Sequence, residues 1–207
     1  MKTLTPGLVT SLQAARDEGI KPVYFVTVAV KQRETGSVFE IGLWSGDGDM
    51  LVNVQTPDGG AKSVFFYGGQ NLQVDGLQYV MDLTDHAITI SMSQISEITQ
   101  TIVRTYDTRL ARCEVHATTL TGGALTSVPQ LVWVGIVDEL QIATPAVGGD
   151  GNIGFTVRSE IMSQLTATNP AKSSNVHQKR RLSTDRFSEY ASVISSREVT
   201  WYTRKDD

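Results

Sequence analysis

The run VYFVTVAV, Val23 to Val30, constrains this chain more than any other stretch. It is β-branched and aromatic almost throughout, which suits a pleated strand. It lacks the polar alternation of a strand with one wet face, so it predicts a strand covered on both sides. Further strand-like segments surround it. SVFEIGLW (Ser37 to Trp44) alternates, SGDGD breaks it, and MLVNVQ returns, so residues 37 to 55 read as one hairpin. KSVFFY lies between the glycine-rich turns PDGG and YGGQN, and HAITISMS and RCEVHATTL alternate again. LVWVGIVDELQI (Leu131 to Ile142) is expected to bend at Gly135 through a β-bulge. VGGDGN then turns the chain into IGFTVRSE, a second hairpin.

Helical spacing occurs in two places. Leu8, Leu12 and Ala15 recur at helix period between Pro6 and Glu18, with Pro6 suited to the first turn and Gly19 to the stop. Ile95, Ile98, Ile102 and Tyr106 mark a short helix or a turn-rich crossover over about residues 96 to 108. The resulting expectation is a mainly β fold, a β-sandwich or barrel-like belt, with a short N-terminal helix and an extended C-terminal arm. Residues 1 to 165 form the core, and residues 166 to 207 the arm with a terminal strand.

With 207 residues, 40% of them apolar and 19% charged, the chain can bury a proper core without covalent staples. Its single cysteine, Cys113, excludes an internal disulfide and a thiolate zinc site, and reads as a buried, inert strand residue. Folding in a reducing cytoplasm fits that usage. The first 22 residues lack the apolar run of a secretory signal, and no stretch approaches membrane-spanning length, so no membrane anchor is expected.

A catalytic centre does not assemble from the residue pattern. His86, His116 and His177 are far apart and lack a second ligand type at metal spacing, so they read as structural. The loops SGDGD and GGDGN lack the ligand spacing of a calcium loop and read as turns. Asp138 and Glu139, adjacent on a strand, point to opposite faces and cannot act together. Neither a metal nor a cofactor is expected. Trp44, Trp133 and Trp201, with Phe65, Phe66 and Tyr67, read as core or interface packing. A carbohydrate-binding β-sandwich using the same aromatics is the alternative, and a hydrolase built on His116 and scattered carboxylates is a distant third.

The segment SSNVHQKRRLSTDRF, Ser173 to Phe187, stands apart. It sits in a long polar stretch of a chain with net charge -4, yet it concentrates Lys179, Arg180, Arg181 and Arg186. Three or four cations on an acidic protein give only weak, salt-sensitive nucleic-acid binding, so specific binding of that kind is not expected. An arm reaching a neighbouring subunit explains more, since arginine pairs well with carboxylates and main-chain oxygens across an interface. The strand-like YASVISSREVTWYTR that follows is able to add to a partner's sheet edge.

Taken together, LTPGLVTSLQAA before VYFVTVAV, TYDTRLARCEVHATTL before LVWVGIVDEL and FTVRSEIMSQL, and the closing HQKRRLSTDRFSEYAS before VTWYTRK resemble a known order. It is that of the tail-tip hub proteins of long-tailed bacteriophages and gene-transfer particles, the group that includes distal tail proteins. In that family a Gln-Lys/Arg-Arg run precedes an Asp plus aromatic, and the chain ends soon after a tryptophan strand. Gln178, Lys179, Arg180, Asp185, Phe187 and Trp201 occupy those places here. With Arg181 and Arg186 of the same basic run, they are the expected subunit-interface residues. Leu182-Ser183-Thr184 departs from the Pro-Gly that often precedes the Asp, and one cysteine does not supply the set that holds an iron-sulfur cluster in some relatives. The resemblance implies a non-enzymatic virion protein and a homo-oligomeric ring of six copies at the tail tip. That ring joins the tail tube protein to the tip or fibre proteins around a channel through which DNA passes, and it is assembled in the host bacterial cytoplasm.

Overall fold

The computed structural model describes residues 4–78, 84–147, 151–161, 174–191 and 193–196. The fold is mainly β, and its sheet curls into a half-barrel. The expected N-terminal helix is present as α1 (Pro6–Glu18). Pro6 takes its first turn, and Gly19, at φ 76°, returns its N–H to Ala15 O at 3.1 Å. The chain then enters β1 (Pro22–Gln32), β2 (Val38–Trp44), β3 (Met50–Gln55), β4 (Ala61–Tyr67), β5 (Gln73–Asp75) and β6 (Ala87–Ser93). Helix α2 (Glu97–Thr105) leads directly into β7 (Tyr106–Thr121), followed by β8 (Ala124–Leu125), β9 (Gln130–Ala143) and β10 (Asn152–Ser159). The helix stops at Thr105, short of residue 108, because Tyr106 and Asp107 already pair with Gln32 and Lys31.

The sheet order is β3-β4-β2-β1-β7-β9-β10-β6-β5, with β8 attached to β7. Strand β1 lies near the middle and is buried on both faces, as its composition requires. Val26, Val28 and Val30 face one core with Cys113, Val115, Val137, Phe155, Ile88 and Ile90, over which Ile102 of α2 packs. Val23 and Phe25 face a second core with Trp44, Val52, Val54, Val64 and Phe66. In this second core Phe25 stacks on Trp44 at 5.4 Å and meets Phe66 edge-on at 4.9 Å.

Three expectations are corrected. Residues 37 to 55 are not a hairpin: β2 pairs with β1 antiparallel and with β4 in parallel, while β3 pairs with β4. The loop after Trp44 explains the change. Its Asp49 carboxylate accepts from Gly68 N at 3.1 Å, Gly46 O accepts from Gly69 N, and Gly48 O accepts from the Trp44 indole at 2.7 Å. The loop thus crosses the end of β4 and leaves that strand between β2 and β3. Gly68 permits this crossing, since a Cβ there meets Gly48 O and the Trp44 indole nitrogen. Secondly, Gly135 is not the bulge. Register shifts leave Val132 and Asp138 as the extra residues, whereas Gly135 pairs with Cys113 and Ser159. Gly135 is glycine for a different reason: a Cβ there collides with Arg158 O. The third correction concerns YASVISSREVTWYTR. Its described part holds turns and a single 3₁₀ turn at Ile194–Ser196, because successive i→i+3 bonds from Tyr190 to Ser196 satisfy the backbone locally. The remainder, Trp201 included, lies outside the described residues.

The chain divides into two units, Met1–Leu165 and Thr166–Asp207. The described part of the second unit contains helix α3 (Asn175–Arg181) and the turns that follow it. The hairpin expected from VGGDGN is present as β9 with β10, paired from Asn152↔Ala143 onward.

Candidate functional site

Helix α3 carries the head of the basic run. The Ser174 side chain caps it by accepting from His177 N at 3.3 Å, and Lys179, Arg180 and Arg181 fill its last turn, where positive charge suits the exposed carbonyls. Leu182 N returns to Gln178 O and ends the helix, and Asp185 N returns to Leu182 O. The Asp185 carboxylate then accepts from Phe187 N at 2.9 Å, an Asx turn that fixes the backbone under the aromatic ring. Phe187 is nonetheless 90% exposed, and Val176, Leu182, Tyr190 and Ile194 are exposed with it. Lys179, Arg180, Arg181 and Arg186 are all exposed and make no ion pair among the described residues. Gln178 is half-buried, and its amide oxygen has no hydrogen-bond partner among the described residues. Seven of the eight expected contact residues therefore lie in one continuous surface segment. Trp201, the eighth, is outside the described residues.

The first unit holds a charge array of the opposite character. Glu114 of β7 is buried, yet it receives Lys62 Nζ of β4 at 2.9 Å and Arg112 Nε at 3.4 Å. Lys62 also bonds Glu40 of β2, and Arg112 reaches Glu160 at 3.8 Å. Burial works against the Lys62 ammonium, but the hydrogen bonds and charges of Glu40 and Glu114 outweigh it and raise its pKa. Two residues along β7, on the same strand face, His116 is fully buried and donates from Nε2 to Gln55 O at 2.9 Å. Burial holds its pKa below the usual imidazole value, against the pull of that hydrogen bond and of Glu114. Gln55 also donates its N–H to Pro129 O and accepts from Leu131 N through Oε1 at 3.3 Å. One glutamine thus ties the end of β3 to β7 and to the start of β9, which closes the curl of the sheet.

The cations of this array compensate the Glu114 charge, and burial disfavours the protonated form of its histidine. Cys113, on the opposite face of β7, is fully buried, and burial together with the Glu114 charge pushes its thiol up to about 12. His86 lies near Thr84, 2.6 Å from its hydroxyl, and His177 sits on α3 in the second unit. Asp138, the bulged residue, pairs with Arg158 at 2.9 Å, and Arg158 reaches Asp85 as well.

The aromatics of the carbohydrate alternative are dispersed. Trp44 is 6% exposed and Phe66 fully buried, both in the second core, while Phe65 and Tyr67 point to the other side of β4. Trp133 packs against the first core. Sequence reasoning missed Gln55, Lys62 and Glu114. The Glu-x-His spacing of β7 was a usable signal, because residues two apart on a strand share a face. Their partners come from distant strands and carry no local mark. Among the described residues, no helix is long and apolar enough to cross a membrane. No protein-family model matches the chain, and no curated protein matches it.

Proposed function

We propose that the chain is a structural subunit of a phage-type tail tip, one protomer of a ring that joins the tail tube to the tip or fibre apparatus. The observation that carries this reading is Phe187, its backbone held by the Asp185 turn and its side chain 90% exposed, amid four exposed cations that make no ion pair among the described residues. An aromatic anchor beside arginines is the composition of a protein contact, where such residues dominate the binding energy.

The remaining features fit the same role. The resemblance of the segment from Gln178 to Phe187 to the hub family names the assembly, and six copies is the number it implies. A chain with net charge -4 suits a wall past which DNA moves, since like charge prevents sticking. The protein folds in the host cytoplasm and resides in the virion. It performs no reaction on a substrate in this reading and needs no cofactor.

The basic run provides the test. Arg180→Glu weakens self-assembly at least tenfold in sizing or mass photometry, and the residual assembly becomes abnormally sensitive to salt. The unmodified protein gives no mobility shift with duplex DNA at physiological salt. A shift that Arg180→Glu abolishes, with assembly unchanged, contradicts the reading and makes the run a nucleic-acid contact.

A further inference from the structure

The sheet ends differently on its two sides. One side closes on β5, three residues long, carrying Asp75 and stopped by Gly76 at φ 82°. The other closes on β3, MLVNVQ, which has no charge, no proline and no register shift against β4. Charges, prolines, bulges and shortness are what keep an edge strand from pairing with another chain, and β3 has none of them.

Gln55 reveals which backbone groups of β3 face outward. Its N–H goes to Pro129 O and its carbonyl accepts from His116, so both point away from β4. Thr56 N, the next residue, turns the other way and closes the hairpin on Gly60 O. By the two-residue period, Leu51 and Asn53 also aim their N–H and C=O groups away from β4. No partner bonds these groups among the described residues. Leu51 is 69% exposed and the residue opposite it, Phe65, is 47% exposed, its ring edge-on to Tyr67 at 5.1 Å. An open backbone edge is therefore flanked by an apolar row.

We propose that this edge accepts a strand from a second copy of the chain, and that the donor is the segment Val199–Thr203. The inference rests on the ring reading and names its joint. VTWYT is β-branched and aromatic without a charge. Extended, it covers roughly 16 Å, enough to run past both open rungs. Its Trp201 or Tyr202 then lies against Leu51 and Phe65, an aromatic–aliphatic cross-strand contact. A head-to-tail ring needs one donor and one acceptor in every copy, the parts assigned here to Val199–Thr203 and β3.

Full-length variants test the joint by mass photometry alongside thermal melting. Asn53→Pro removes only an outward N–H and leaves the β3–β4 ladder intact, and Leu51→Lys places a charge on the edge. Trp201→Pro disables the donor. Each variant alone is expected at monomer mass with an unchanged melting temperature. An equimolar mixture of N53P and W201P recovers a 1:1 dimer and nothing larger, since each keeps the half that the other lacks. Assembly of L51K, N53P or W201P like that of the unmodified chain overturns the proposal, and so does a mixture that stays monomeric. L51K keeps the edge under test should proline disturb the fold. Monomeric behaviour of the unmodified chain is a separate outcome, which removes the ring reading itself.

Discussion

Strands β1 and β7 and the segment from Ser174 to Ser196 solve opposite problems. In β1 both faces are covered, and the charges beside it, Glu114 on β7 above all, are matched by Lys62 and Arg112. In the C-terminal segment the backbone is just as regular in its local bonding, through a capped helix and a series of turns. Yet its large apolar and cationic side chains face water. The side chains of the first region are mostly buried in the fold, whereas those of the second are mostly exposed. Exposed residues that the backbone fixes in place therefore say more about function here than the buried ionisable groups, which are compensated.

The largest effect expected from this contrast is in the second core. Phe25→Ala removes a fully buried ring that touches Trp44 and Phe66, and costs about 3–5 kcal/mol in denaturant unfolding. A loss under about 1 kcal/mol breaks the comparison, because it means the core collapses around the gap and does not depend on shape.

His116 gives an intermediate effect with a definite sign. Its folded pKa lies below its unfolded value, so below about pH 6.5 the unfolded chain binds more protons than the folded one. Stability is at its plateau above that pH and falls as the medium is acidified, by at most about 1.4 kcal/mol per pH unit for this one group. Comparing unfolding free energies of the unmodified chain and His116→Gln between pH 7.5 and 5 isolates it from the carboxylates. The unmodified chain loses more stability over that interval. An equal loss in both means that His116 titrates as though exposed.

Phe187→Ala sharpens the other half of the contrast. A side chain that is 90% exposed leaves unfolding unchanged within about 0.5 kcal/mol on truncation. The same change is expected to weaken self-association at least tenfold. Loss of fold stability without loss of assembly reverses the assignment of this residue.

How far the sequence revealed these regions follows from the range of the interactions. The double burial of Val23–Val30 is written into eight consecutive residues and was legible. So was α1, whose Pro6 and Gly19 are local signals. The pairing of β2 was not, because SGDGD and PDGG look equally like hairpin turns; the contact of Asp49 with Gly68 decides between them, and it is formed only in the fold. The basic run was visible as composition, but its helix was not anticipated, although Ser174 followed by Gln, Lys and Arg is a capped run of good helix formers. The fastening at Gln55 joins residues from three strands and leaves no trace in any one of them.

The central claim is that the C-terminal segment is ordered for contact with sister copies. Mass measurement of the purified, unmodified chain across a concentration series tests it most directly. A closed, discrete oligomer with a ring outline in negative stain, lost when residues from Ser174 onward are removed, is the predicted result. A compact monomer at the highest concentrations, its basic segment protected from protease by its own body, contradicts the account.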